Sequence, residues 1–178
     1  MMELNKDKRQ LVMDWYEKYY DDVYRFILYM LSDKQCCEDL VHDTFVRAYV
    51  AYDRFDNRSN VKTWLFSIAK HLVIDEIRKR KRRRLLSFVK EIPSPFNIEQ
   101  HIENKEAVVH LVESMQKLNP NYRLVIILKK VEECSTKEIG EILGWSESKV
   151  RKTLSRALQS LKKMKEIEEG GGQIEQTY

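Results

Sequence analysis

The sequence predicts an all-α protein made of two small helical domains joined by a linker. Three observations lead to this prediction. The chain has only 5 glycines and 3 prolines among 178 residues, so residues that interrupt helices are rare. Its apolar residues recur at intervals of three and four, which is the spacing of amphipathic helices. Charged residues make up 34% of the chain, and this composition favours helices with a highly charged surface.

The first domain, residues 1–86, is predicted to contain three helices. Apolar residues at helical spacing place them at about 8–31, 34–52 and 61–84. Residues 53–60, DRFDNRSN, have almost no apolar content and the Asn, Asp and Ser chemistry of a turn. This segment is therefore expected to be an exposed loop between the second and third helices.

The two helical domains are predicted to be separated by a linker at residues 87–104. The helical pattern lapses there, and Pro93 and Pro95 stiffen an otherwise acidic stretch. The second domain is expected at residues 105–166. Residues 167–178 hold too little apolar surface to order themselves and are expected to be a flexible tail.

The second domain is predicted to begin with a helix near residues 105–118. Asn119 followed by Pro120 is the pattern of an N-cap and a first helical position, so another helix is expected to start there. The run LVIIL at residues 124–128 is apolar on every side of that helix. It is therefore expected to form the centre of a small core.

The rest of the second domain has the pattern of a helix-turn-helix. Ser135 and Glu138 form a capping box that opens a helix. Gly140 is small where a second helix must approach, and Gly144 suits the left-handed residue that ends the first helix. Ser146 is expected to cap the second helix. A plain helical hairpin in a bundle shows the same spacing, so DNA reading is one of two interpretations.

The second helix of this pattern is predicted to have an apolar inner face and a basic outer face. The inner face is Val150, Leu154, Leu158 and Leu161. The outer face carries side chains suited to phosphates or base edges in a major groove: Lys149, Arg151, Lys152, Ser155 and Arg156.

Basic charge is concentrated in two separate parts of the chain. Residues 61–90 contain ten basic and two acidic residues, and residues 117–166 contain twelve basic and six acidic residues. The sharpest feature is the unbroken basic run at residues 78–84, RKRKRRR. Such a run is either a solvated helix end or a nucleic-acid contact. Two separated basic surfaces indicate a polyanion that is contacted at two places.

Several classes of chemistry are not expected. All five glycines lie at or beyond Gly140, so the preceding residues contain no glycine-rich phosphate loop. The three cysteines, Cys36, Cys37 and Cys134, suit neither a disulfide framework nor a zinc site and are expected to be packed thiols. The four histidines are scattered. No enzyme activity, catalytic residue, cofactor, metal or small-molecule substrate is therefore expected. The chain shows no secretory signal and no membrane-spanning run, so we expect it in the cytoplasm.

Two blocks of the sequence resemble conserved regions of bacterial sigma factors. Residues 38–49, EDLVHDTFVRAY, with Phe55 and residues 62–78, KTWLFSIAKHLVIDEIR, resemble the second region. Residues 118–162 resemble the fourth region. With only two modules and a short linker, the chain is most similar to the compact extracytoplasmic-function class. The resemblance implies an alternative sigma factor that binds core RNA polymerase and directs it to the promoters of a particular regulon.

The resemblance also implies roles for individual residues. The first domain would bind the clamp of the largest polymerase subunit, with other subunits also contacted, through Asp39, Leu40, His42, Asp43, Phe45 and Arg47. His42 stands where the family more often has Gln. The same domain would read the single-stranded minus-ten element through Asn57, Arg58, Ser59, Asn60, Lys62, Trp64, His71, Asp75 and Arg78. The outer face of the helix-turn-helix would bind the duplex minus-thirty-five element. An anti-sigma factor is an expected further partner.

Some of these residues also have simpler interpretations. Trp64 lies on the inner side of its helix and is also consistent with a core residue. Asp39 and Asp43 are also consistent with a solvated helix surface, although their negative charge would repel DNA and so favours a protein partner.

The energetics of strand opening distinguish the sigma factor from a stand-alone helix-turn-helix regulator. Opening about ten base steps costs roughly 14 kcal/mol at a mean near 1.4 per step, whereas two or three captured bases return about 2 to 9 kcal/mol. A chain of this size should therefore not melt duplex alone and depends on a larger partner. A stand-alone regulator would instead bind duplex DNA by itself, usually as a dimer. A third class, a nucleic-acid-processing enzyme, would need a set of catalytic side chains, and the polar residues of this sequence offer none.

Overall fold

A computed structural model describes residues 2–55, 59–86 and 112–171, with the side chains of residues 7–55, 59–85 and 112–167. The described residues contain helices and turns and no strand, which confirms the all-α prediction. The predicted linker at residues 87–104 lies outside the described residues, as does the predicted tail beyond residue 171.

The first three helices form an N-terminal bundle. Helix α1 is Met2–Leu31, α2 is Lys34–Ala51 and α3 is Val61–Leu86. A short 3-10 turn, Tyr52–Arg54, follows α2. Helix α1 begins earlier and α3 ends later than predicted.

The turn between α1 and α2 is fixed by local capping. Ser32 takes a positive φ of 53°, and the side chain of Asp33 accepts a hydrogen bond of 3.0 Å from the backbone N–H of Cys36. This cap starts α2 so that all three helices share one core. The rings of Phe26 and Phe66 lie 5.2 Å apart at its centre, and both side chains are fully buried.

The remaining helices form a C-terminal unit. Residues 112–117 are helical and are called α4; α5 is Pro120–Ile126, α6 is Thr136–Leu143 and α7 is Glu147–Gly171. Helix α7 therefore continues beyond the predicted domain end at residue 166. The side chain of Asn119 caps α5 by accepting from the N–H of Asn121 at 2.9 Å, with Pro120 at the first turn as predicted.

The apolar run at residues 124–128 is buried, as predicted. It does not lie in one α-helix, because the backbone widens into a π-turn at Ile127–Val131. The N–H of Glu132 bonds the carbonyl of Ile127 at 3.0 Å, and the N–H of Cys134 bonds that of Leu128 at 2.9 Å. These hydrogen bonds close wider turns than those of an α-helix, and the π-turn they form contacts α1 of the N-terminal bundle.

The local signals of the helix-turn-helix are confirmed. Ser135 and Glu138 make both hydrogen bonds of the capping box, and the hydrogen bonds from Ser135 lower the pKa of Glu138. Gly144 ends α6 with a φ of 68°. The N–H of Lys149 bonds the hydroxyl of Ser146 at 3.3 Å at the start of α7.

Two details of this motif differ from the prediction. A Cβ at Gly140 would lie 2.8 Å from the carbonyl oxygen of Trp145, so the turn, and not a second helix, makes the close approach. Leu158 is 40% exposed, whereas Ala157 is fully buried. Ala157, and not Leu158, therefore lies on the inner face of α7.

The cysteines are free thiols. Cys37 and Cys134 are buried and Cys36 is half-buried. Burial raises the pKa of the Cys37 thiol well above its usual range and raises that of Cys134 to about 11. Both thiols are packed, as predicted.

The N-terminal bundle and the C-terminal unit pack against each other and share one continuous hydrophobic core. Helix α1 contacts α5 and the π-turn, and α3 contacts α6. The sequence did not predict this contact. Among the described helices, none has the combination of length and apolar character that crossing a membrane requires.

We expect Gly140→Ala to lower the free energy of unfolding by about 1 to 3 kcal/mol, because the added methyl group overlaps the Trp145 backbone carbonyl, which a side-chain rotation cannot relieve. Urea denaturation followed by circular dichroism measures this change. Glu141→Ala, on the exposed side of the same helix, is the control and should stay within about 0.5 kcal/mol of the parent. Equal stability of both variants would contradict the close approach.

Candidate polymerase and nucleic-acid interfaces

The predicted minus-thirty-five residues form one exposed basic face on α7. All five side chains are solvent-exposed. Arg151 Nη1 lies 3.2 Å from Glu147 Oε2, and Lys149 Nζ lies 4.2 Å from the centre of the Trp145 ring. Exposed contacts of these two kinds are weak, so both cations stay available to a ligand. This geometry would allow α7 to enter a major groove. The five exposed residues are Lys149, Arg151, Lys152, Ser155 and Arg156.

The predicted minus-ten residues are divided among different environments. Asn57 and Arg58 lie outside the described residues. Ser59 is half-buried. The exposed Asn60 caps α3 by accepting from the N–H of Lys62 at 3.0 Å. The loop end is therefore held against the first turn of α3.

Further along α3, the remaining exposed residues of the predicted minus-ten set share one side of the helix. They are His71, Asp75 and Arg78, at spacings of four and three. His71 Nδ1 lies 2.6 Å from the carbonyl oxygen of Ser67, and Arg78 Nη1 lies 3.4 Å from Asp75 Oδ1. This side leads directly into the basic run at residues 78–84.

Trp64 belongs to a half-buried aromatic cluster at the start of α3. Its ring stacks on Phe55 with centroids 4.6 Å apart and meets the edge of Trp15 at 5.9 Å. Phe55 is thus more buried than the exposed loop predicted for residues 53–60. The cluster fixes the end of that loop, so Trp64 has a packing role whether or not it also contacts a base.

The predicted polymerase-binding residues lie on α2. Asp39, His42, Asp43 and Arg47 are exposed, and Leu40 is half-buried. Phe45 departs from the prediction, because it is only 5% exposed and packs against Tyr16 with ring centroids 4.8 Å apart. Its side chain supports α2 from inside the bundle and does not face a partner.

Two exposed valines extend this face of α2. Val46 is 46% exposed and Val50 is 72% exposed. They follow Asp39 and Asp43 at spacings of three and four, so the four residues lie along one stripe of the helix. Sequence reasoning missed these valines, although exposed apolar residues beside acidic ones are typical of a protein-binding surface.

A groove of about 860 Å³ opens beside this region, between α2 and the end of α3. Leu40, Leu72 and Leu85 provide its apolar lining, and the basic run of α3 provides most of its rim. Leu85 is 77% exposed. The acidic stripe of α2 and the basic end of α3 are therefore adjacent surfaces of opposite charge.

Lys62, a predicted minus-ten residue, is engaged within the protein. Its Nζ lies 3.0 Å from Asp22 Oδ2 and 3.4 Å from Glu132 Oε2. Glu132 also accepts two hydrogen bonds from Arg25, at 2.8 and 2.9 Å. These four residues, called the Glu132 cluster below, join the N-terminal bundle to the end of the π-turn.

The Glu132 cluster is partly withdrawn from solvent. The side chain of Glu132 has no exposed surface. Burial lowers the pKa of Lys62, but the hydrogen bonds and charges of Asp22 and Glu132 outweigh burial and raise it. Burial likewise raises the pKa of Asp22, yet Lys62 and Arg25 outweigh it and lower that pKa. Asp22, Arg25 and Lys62 are therefore held in their charged forms at neutral pH.

A second contact between the units caps the end of α1. The last carbonyls of a helix have no partner in the helix itself. Gln116 Nε2 donates to the carbonyl of Tyr29 at 3.0 Å, and Arg123 Nη1 donates to the carbonyl of Met30. Both donors belong to the C-terminal unit, so that unit supplies the cap of α1.

Arg123 is buried and bonds only uncharged oxygens among the described residues. Besides Met30, it donates to the carbonyls of Met115, Gln116 and Leu118 and to the side chain of Gln116. Burial lowers its pKa to about 10, which leaves it charged at neutral pH. Sequence reasoning missed Arg123, Arg25 and Glu132 because no local pattern distinguishes them from surface charges.

We expect Arg123→Leu to lower the free energy of unfolding by at least about 3 kcal/mol, because several buried carbonyls lose a donor at about 1 to 3 kcal/mol each. Chemical denaturation of the full chain measures this loss. Arg151→Leu, at an exposed position of α7, is the control and should change stability by about 0.5 kcal/mol or less. Similar losses in both variants would show that Arg123 is not a buried cap.

The comparisons with known proteins match both halves of this architecture. Residues 15–83 match sigma-70 region 2, and residues 110–161 match sigma-70 region 4. The ECF RNA polymerase sigma factor SigX of Bacillus subtilis is 35% identical over 159 residues, which are 85% of this chain and 82% of SigX. The chain belongs to the ECF sigma factor family. SigM of Bacillus subtilis is 38% identical over 154 residues, covering 83% of this chain and 90% of SigM.

Two solved structures have the same fold. RpoE of Bartonella quintana, in a complex with the anti-sigma factor NepR, superposes with a TM-score of 0.74 at 25% identity, over 86% of this chain and 98% of RpoE. CnrH, solved with the cytosolic domain of CnrY, has a TM-score of 0.68 at 22% identity, over 88% of each chain, and supports the fold alone. This chain is therefore an alternative sigma factor that acts in transcription initiation with RNA polymerase and promoter DNA.

Proposed function

We propose that this ECF sigma factor divides its work between two oppositely charged surfaces. The acidic and apolar stripe of α2 binds the clamp of the largest subunit of core polymerase, while the basic face of α7 binds the minus-thirty-five element. The observation that supports this division is the exposure of both surfaces together with their charge. Negative charge on α2 repels DNA and suits a protein partner, whereas the α7 face suits phosphates.

The minus-ten element is assigned to the start and exposed side of α3. We infer that the loop before Lys62 captures unstacked bases, because Asn, Arg and Ser side chains can hydrogen-bond a base edge. His71, Asp75 and Arg78 extend the same side of α3 towards the basic run. Trp64 serves as the fixed wall behind the loop. Together with the proposed domains at residues 1–86 and 105–166, this assignment gives each promoter element its own unit.

We further propose that the factor acts in the cytoplasm, has no catalytic activity of its own and is held inactive by an anti-sigma factor. The structural relative RpoE supports this proposal, since it was solved with the anti-sigma factor NepR. The exposed valines of α2 provide apolar surface that a protein partner would cover.

In vitro transcription with purified core polymerase and a promoter library tests the function. We expect specific transcripts only when the chain and core polymerase are both present, because the chain alone cannot supply the energy of strand opening. Promoter binding by the holoenzyme should weaken with salt by a log-log slope of about −0.9 per duplex phosphate contact. Tight duplex binding without core polymerase, and no transcription with it, would instead indicate a stand-alone regulator.

Charge reversal at the two surfaces should separate their activities. Replacing Arg151 and Arg156 with Glu should weaken minus-thirty-five binding at least about thirtyfold, since each contact contributes about 1 to 3 kcal/mol, while core binding is retained. Replacing Asp39 and Asp43 with Lys should weaken core binding and leave the α7 surface unaffected. Footprinting measures the first activity and co-elution with core polymerase measures the second.

Each pair has a matched control on its own helix or bundle. Lys162 and Lys163 are exposed further along α7, and Glu17 and Asp21 are an exposed acidic pair on α1. Reversing either control pair should leave both activities close to those of the parent. If the two test pairs damage the same activity equally in folded protein, the proposed division is wrong.

A further inference from the structure

The Glu132 cluster places a carboxylate where the proposed function requires DNA. Glu132 Oε2 lies 3.4 Å from Lys62 Nζ, and Asp22 Oδ2 lies 3.0 Å from the same atom. A lysine that contacts the promoter backbone binds an anionic phosphate oxygen. Both carboxylates are thus ligands of Lys62, and each competes with phosphate for that ammonium group.

Glu132 differs from Asp22 because it comes from the other unit. Asp22 is on α1, in the same bundle as Lys62, whereas Glu132 follows the π-turn of the C-terminal unit. Its side chain is completely buried and bound by Arg25 through both oxygens. The contact between Glu132 and Lys62 therefore exists only while the two units are packed together.

The length of a promoter is incompatible with this packed arrangement. The centres of elements at minus ten and minus thirty-five are separated by about 25 base pairs, or about 85 Å of unbent duplex at 3.4 Å per pair. A compact chain of this length has a radius of gyration near 16 Å and a diameter of about 40 Å. Helix α3 contacts α6 of the helix-turn-helix, so the packed chain cannot reach both elements at once.

We propose that Glu132 is an intramolecular competitor of promoter phosphate: it binds Lys62 together with Asp22 while the units are packed, and its departure when they separate leaves one ligand position of Lys62 open to phosphate. This inference rests on the proposed role of Lys62 in minus-ten binding. Free sigma factor is then a poor ligand of single-stranded DNA, although its basic residues outnumber its acidic ones. Partners that separate the two units activate DNA binding by removing an anion from the binding surface.

The first test compares the full chain with Glu132→Gln and Glu141→Gln in the absence of polymerase. Both substitutions remove one negative charge, but Glu141 is exposed on α6 and outside the Glu132 cluster. The probe is a fluorescein-labelled single-stranded DNA of mixed sequence, because phosphate contacts do not depend on sequence. Fluorescence anisotropy gives the affinity at several salt concentrations.

We expect E132Q to bind this probe about tenfold more tightly than the parent, with a salt slope steeper by about 0.7 for one additional phosphate contact on a single strand. E141Q should change the affinity less than about twofold, as expected for a screened surface charge. Equal affinities and slopes for the two variants would overturn the proposal.

A double-mutant cycle identifies Lys62 as the group that is released. In a Lys62→Gln background, Glu132→Gln should give less than about a twofold gain in affinity, because no ammonium group remains to be freed. A gain in that background as large as in the parent would show that Glu132 acts on another residue, and the proposal would be wrong.

Two further measurements keep the test independent of folding and of the proposed function. E132Q should keep its helical circular dichroism while its radius of gyration by small-angle scattering increases. If E132Q does not fold, Glu132→Asp replaces it, since the shorter carboxylate cannot hold both Arg25 and Lys62, and an unchanged affinity would overturn the proposal. Transcription by the parent with core polymerase is scored separately, so loss of that activity refutes the proposed function and not the competition.

Discussion

The carboxyl end of α1 is the place on which the arrangement of the two helical units depends. Its last carbonyls need donors that the helix cannot provide, and Gln116 and Arg123 of the C-terminal unit provide them. Alongside, Arg25 of α1 binds the buried carboxylate of Glu132. Removing one partner of a buried ion pair is far more costly than the net stabilisation that the pair provides. The contact is therefore specific and selects one packing of the units.

The packing of the two units leaves the α2 stripe and the α7 face exposed, while it engages the start of α3 in ion pairs. The acidic stripe of α2 and the basic face of α7 are exposed in the packed chain, so the two proposed recruitment surfaces are available before assembly. The start of α3 is instead held by Asp22 and Glu132. Under the proposed assignment, one rearrangement of the units would separate recognition of polymerase from capture of single-stranded DNA.

The sequence was sufficient for the features that local chemistry determines. Ser135, Glu138 and Gly144 are read correctly because a cap depends on residues a few positions apart. Leu158 was placed wrongly because helical spacing gives a face but not the distance to its neighbour, whereas the contact role of Phe45, which is buried, came from the family resemblance and not from spacing. The pairing of Arg25 with Glu132 joins residues 107 positions apart, and each looks like an ordinary surface charge in the sequence.

The π-turn at Ile127–Val131 determines the direction in which the C-terminal unit presents Glu132. Each residue of an α-helix advances the chain by about 100°, so the wider loop from Ile127 to Glu132 sets the azimuth of the carboxylate relative to α1. Deleting a single residue from this segment would restore ordinary helical phase and swing Glu132 out of reach of its partners. The phase of this short segment therefore decides whether the two units can share their buried ion pairs, without any change to a charged residue.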